Sequence, residues 1–173
     1  MPKEKRVSKN LLIGAVFAVA LALTETVLVI YITKMIGIEN LASRISGNNF
    51  RPLLDLGAIT FLRFSDAYRA LPLNQNLEMA REIGTLAVLI STAYLVERNW
   101  KRFSWMFLFL FSVWDLSYYV FLKIITDWPK GFFDLDIFFF TPVPWIGPVI
   151  TPIILSFIFL IISIVFLFRI REK

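Results

Sequence analysis

IGPVITPIILSFIFLIISIVFLF, residues 146–168, runs 23 positions without a single Asp, Glu, Lys or Arg. A bilayer core about 30 Å thick is crossed by roughly 20 helical residues, so this stretch alone predicts a transmembrane helix. Working outward, residues 11–36 and 103–125 are apolar runs of the same kind, and 83–96 is a shorter one with polar shoulders. The fold expected is all-α: a polytopic membrane protein whose four transmembrane helices form a single bundle, with spans at about 11–36, 79–98, 103–126 and 147–169. The segments 37–78 and 127–146 are left outside it, as an extracytoplasmic cap.

Composition agrees. The chain has 173 residues, 58% of them hydrophobic and 18 of them Phe, with a mean hydropathy of +0.71, well above a soluble domain. The formal charge of +5 does not indicate nucleic acid. Most Lys and Arg flank the apolar runs, and no basic stripe with interleaved aromatics stands apart from them. Without Cys or His, disulfides, thiol redox chemistry, His-ligated haem, the commonest zinc sites and any Ser-His or Cys-His catalytic pair are excluded.

Basic residues set the threading. Lys3, Lys5, Arg6 and Lys9 precede the first span, Arg98, Lys101 and Arg102 lie between the second and third, and Arg169, Arg171 and Lys173 follow the fourth. The connection between spans three and four carries Asp127, Asp134 and Asp136 against Lys130. Positive residues stay on the cytoplasmic side, so both termini are expected there, in the cell (inner) membrane. Arg44, Arg51, Arg63, Arg69 and Arg81 pull the other way. Ala20-Leu21-Ala22 resembles a signal-peptide cleavage pattern, but the apolar run continues through Ile32, so an uncleaved anchor is expected.

Residues 52–69 are too apolar for a solvated loop and too short to span. An amphipathic helix on the outer surface is expected, with a short strand at 58–64 as the competitor. Asp66 sits three residues from Arg63 and from Arg69, a helical ion-pair spacing. In the second outer segment Trp128 and Trp145 read as interface anchors. Pro142 and Pro144 favour an extended chain, and the apolar residues 137–140 and Val143 read as a cap folded onto the bundle. Pro148 is expected in the first turn of span four, with Pro152 loosening that turn.

The intramembrane polar groups are the candidate site. Glu25 lies about 21 Å and Asp115 about 18 Å above the cytoplasmic ends of their helices at 1.5 Å per residue, so they are expected at similar depth. A charge there costs roughly 2.5–3.5 kcal/mol, so neither acid should face lipid. Gly14, Ala18 and Ala22 share the Glu25 face and let a second helix approach closely. Ser112, Asp115, Tyr119 and Lys123 form a polar stripe on span three. Thr24, Thr26, Thr33, Thr85, Ser91, Thr92, Ser156 and Ser163 add hydroxyls, and Arg81 and Glu82 mark the outer edge of span two.

These groups allow four readings: ties between helices, pairing with a partner's polar groups, a proton or cation pathway, or a metal-dependent enzyme using Asp134, Asp136 and Glu82. Two acids two residues apart fall short of the oxygen set a hard cation gathers. Nucleotide-binding and zincin motifs are absent, as is an internal repeat.

Trp114-Asp-Leu-Ser-Tyr-Tyr119, Trp128-Pro129 and Pro142-Val-Pro-Trp-Ile-Gly-Pro148 resemble an uncharacterised group of small bacterial multi-pass membrane proteins. The resemblance covers mainly the last third of the chain. It implies a bacterial membrane setting and an outer cap that matters, and it brings no activity. The function expected is non-catalytic: an accessory, scaffolding or assembly subunit of a larger membrane complex, or a homo-oligomer. Its surroundings would be lipid, and no cofactor, metal or nucleic acid is expected. The alternative is a proton- or cation-coupled translocation module using the buried carboxylates.

Overall fold

Helix α1 runs Lys3–Met35 with no proline to break it and one glycine, Gly14. It belongs to a computed structural model that describes residues 3–35, 52–63, 65, 75–139 and 141–170. Helix α2 spans Gln75–Val96, α3 Trp100–Thr126 and α4 Ile150–Arg169. All four are long and apolar enough to cross a membrane.

Helix α3 is central, packing most extensively on α1 and α4 and also on α2. The small-residue stripe of α1 explains the first contact. A Cβ on Gly14 would stand 2.8 Å from Leu110 Cδ2, and Ala18 and Ala22 are fully buried, so the backbones approach as small residues allow. On the α4 side Trp105 stacks on Phe166 with ring centroids 4.2 Å apart.

The turn between α2 and α3 is made by Asn99, whose side chain caps α3 by accepting from the Lys101 N–H at 3.0 Å. Beside it Arg102 is 0% exposed and Glu97 3%, paired at 3.2 Å. Arg6 of α1 approaches Glu97 at 3.8 Å, and Asn10 donates to the Val96 carbonyl at 3.0 Å. Basic residues at this end therefore have a part in the packing. Arg102 is a buried strut.

At the other end α3 stops at Asp127, whose φ of 54° lies in the left-handed region that ends helices. Its carboxylate holds Lys123 at 2.8 Å and Lys130, which together pull it down to about 2. Beyond it lies a four-stranded antiparallel sheet of β1 (Leu54–Asp55), β2 (Thr60–Phe61), β3 (Leu135–Phe139) and β4 (Trp145–Pro148), in the order β1-β2-β4-β3. Thr60 pairs with Ile146, Phe61 with Trp145 and Asp136 with Gly147.

The β1–β2 turn uses Gly57 at φ 76°, and the Asp55 carboxylate accepts from the Gly57 N–H and the Thr60 hydroxyl. Gly147 is required by close approach: a side chain there would collide with the Ala58 carbonyl and stand 3.0 Å from the Phe138 ring. Leu62 and Ile146 form the buried centre of the sheet.

Two expectations change. Over residues 52–63 the chain forms strands, not a surface helix, because its apolar residues find a partner strand in β4. The expected Asp66 pairing with Arg63 and Arg69 lies outside the described residues, apart from exposed Arg63. Pro148 ends β4, and α4 starts at Ile150, its first N–H groups meeting the carbonyls of Phe132 and Asp134 through Ile150 and Val149. Pro152 falls within the first turn of α4, where no intrahelical bond is lost.

Candidate functional site

Between the sheet and the upper halves of the helices is a cavity of about 230 Å³. Four carboxyl groups line it, those of Glu25, Glu82, Asp115 and Asp136, together with Arg81. Much of the rest of the wall is aromatic: Phe111, Trp114, Tyr118, Phe139 and Trp145 among others. In the measure where one water needs about 10–15 Å³, this space holds several waters or a compact organic molecule.

Each acid ties two elements together. Glu25 of α1 pairs with Arg81 of α2 and accepts from Thr85 at 3.2 Å. Arg81 is shared with Glu78, at 2.8 and 2.9 Å through two nitrogens. Glu82 reaches from α2 to the loop before β4, accepting from the Thr141 N–H at 3.1 Å and its hydroxyl at 2.9 Å. Asp115 of α3 accepts from Ser156 of α4 at 2.7 Å. Asp136 of β3 accepts from the Tyr119 hydroxyl of α3 at 2.8 Å and from the Ile137 N–H at 2.9 Å. Burial pushes the Asp136 carboxyl up to about 7, with the nearby Asp115 charge adding to the rise and its hydrogen bonds opposing it.

Toward the Arg102 end the helices close on Ala18, Ala22, Leu89, Met106 and Leu110, all fully buried. Ser112 and Ser163, two hydroxyls in that direction, donate to carbonyls of their own helices. Thr24, Thr26 and Thr33 do likewise on α1, so of the hydroxyls considered near Glu25 it is Thr85 that binds it.

Glu25 and Asp115, placed at similar depth by residue counting, line this one cavity. Lys123 does not belong with them. It is exposed and bonded to Asp127 and to the Pro129 carbonyl at 2.9 Å, a turn too high to turn inward. Tyr119, from the same stripe, reaches up to Asp136. Arg81 and Glu82, expected at the outer edge, lie in the cavity wall. Asp134 is spent on a turn, accepting from the N–H groups of Lys130 and Gly131. Among the described residues no three Asp or Glu side chains are grouped to hold a metal ion.

Trp114 was missed as a site residue. It lines the cavity, is 7% exposed, and its indole N–H has no hydrogen-bond acceptor. Asp136 enters the sequence reading as a metal ligand, since nothing in its local spacing reveals that it lies on a strand of the sheet and lines the cavity. Compared with protein-family profiles, characterised proteins and solved structures, the chain matches none.

Proposed function

We propose that this is a multi-pass protein of the cell (inner) membrane, with both termini cytoplasmic and the sheet outside, whose task is to bind a small molecule. The observation carrying this reading is the cavity beneath the sheet, lined by four acids, one guanidinium and an aromatic wall. It fits binding better than translocation, because the apolar plug of Ala18, Ala22, Leu89, Met106 and Leu110 lies between the acids and the opposite end. The acids also speak less for a partner subunit than their positions in the sequence do, since each has a partner within the chain. An accessory or assembly role would rest on the outer apolar faces, which lipid covers equally well.

Binding is tested by thermal unfolding of the detergent-purified protein against a panel of small molecules. At least one should raise the midpoint saturably, as a native-state ligand must, and Val29→Trp, which fills the cavity, should abolish the rise while leaving a cooperative transition. A rise of equal size in the filled variant would refute the site. Orientation is tested separately on this Cys-free chain. Lys130→Cys should react with an impermeant maleimide in intact cells and Asn99→Cys should not; labelling of the Asn99 position from outside would invert the topology.

A further inference from the structure

Two acids of the cavity have no group of opposite charge against them. Asp115 has the Ser156 hydroxyl at 2.7 Å. Asp136 has the Tyr119 hydroxyl at 2.8 Å and the Ile137 N–H at 2.9 Å. All three donors are neutral, and among the described residues neither acid has an ion-pair partner. The guanidinium of the cavity, Arg81, is engaged by Glu25 and Glu78. Asp115 is 7% and Asp136 6% exposed, and a carboxylate buried this far requires either a proton or a cation.

Three features of the wall define the missing cation. The rings of Phe111, Trp114, Tyr118 and Phe139 surround the space, which suits a weakly hydrated cation that is attracted to ring faces. A hard metal ion instead wants six or more oxygens, and although four acids line the cavity, no three of the described ones stand close enough together to hold a metal ion. The third feature is independent of the acids. Trp114, like Trp145 of the same wall, has an indole N–H that is buried without an acceptor, an unmet donor that a bound oxygen would satisfy; of the two, Trp114 is the one next to Asp115 on α3. A ligand that relieves both deficits brings positive charge to Asp115 and Asp136 and an oxygen to Trp114.

We propose that the cavity binds a compact organic ammonium ion bearing a hydrogen-bond acceptor oxygen, an amino alcohol being the simplest case. This rests on the reading of the cavity as a ligand site and names its ligand class. The ammonium group sits between the Asp115 and Asp136 carboxylates against the aromatic wall, and the oxygen faces the Trp114 indole.

The test uses the full chain in mild detergent at pH 8, with thermal unfolding and tryptophan fluorescence as readouts. Four probes separate the two requirements: choline and ethanolamine have both charge and oxygen, tetramethylammonium lacks the oxygen, and 3,3-dimethylbutan-1-ol is the uncharged counterpart of choline. Choline or ethanolamine should bind saturably, at least tenfold more tightly than the neutral alcohol. Asp115→Asn and, separately, Asp136→Asn should each weaken that binding at least tenfold while leaving the alcohol unchanged. Trp114→Phe should bring choline down to the level of tetramethylammonium. Equal binding of choline and the neutral alcohol, both lost in Val29→Trp, would overturn the ammonium assignment and leave the cavity reading standing. No saturable binding of either amino alcohol up to tens of millimolar would also overturn the assignment. If the broader panel then produced no saturable rise sensitive to Val29→Trp, the cavity reading would fall with it.

Discussion

Arg102→Met should destabilise the protein by about 3–5 kcal/mol, the usual cost of removing one partner of a buried ion pair. Arg102 is wholly buried and its partner Glu97 is 3% exposed. Without the guanidinium, the cation left to Glu97 among the described residues is Arg6, at 3.8 Å and itself 41% exposed, and a carboxylate so placed is poorly compensated. The measurement is equilibrium unfolding in mixed detergent micelles, followed by tryptophan fluorescence. The double variant Glu97→Met with Arg102→Met should recover much of the loss, because apolar residues of similar volume leave no charge behind. A single-variant cost below about 1 kcal/mol would show that the pair is not the strut described.

Asp136→Asn should reshape the dependence of stability on pH. The native carboxyl sits at about 7 against about 3.9 in an unfolded chain, so the fold favours the neutral form. Between these values the native state holds a proton that the unfolded state has released. The contribution of this group is therefore greatest below pH 4, declines as pH rises toward 7 and levels off above it. The gap corresponds to on the order of 4 kcal/mol. An asparagine carries no such proton and still offers an oxygen to the Tyr119 hydroxyl. The variant should lose the decline between pH 4 and 7 and be more stable than the parent at pH 8. A parent protein whose stability is flat across that interval would contradict the account of Asp136.

The helices were legible because the signal for each is local: about twenty successive residues report on one environment, as in 146–168. That Glu25 and Asp115 come together at one cavity was legible for a related reason, since rise per residue is constant and α1 and α3 start from the same end of the bundle. The sheet was not. Strands β1 and β2 are each two residues long, too short for alternation to register, and β2 takes as its partner a strand that lies beyond two intervening helices. Helical spacing places Lys123 on the Asp115 stripe but two turns above it, while the Asp127 cap that engages it follows from a backbone angle. Arg102 reads as a topology marker in any charge count; its burial arises from tertiary packing, and Glu97 five residues earlier was the available clue.

The strand order β1-β2-β4-β3 has a consequence for how the molecule is put together. Strand β2 is synthesised before α2, and β4 only after α3, so Phe61 and Trp145 can pair only when the whole intervening helical hairpin has been made. The sheet thus acts as a buckle fastened last, and it spans the chain on both sides of that hairpin. A polypeptide arrested after α3 would carry Glu25, Arg81 and Asp115 with no roof above them.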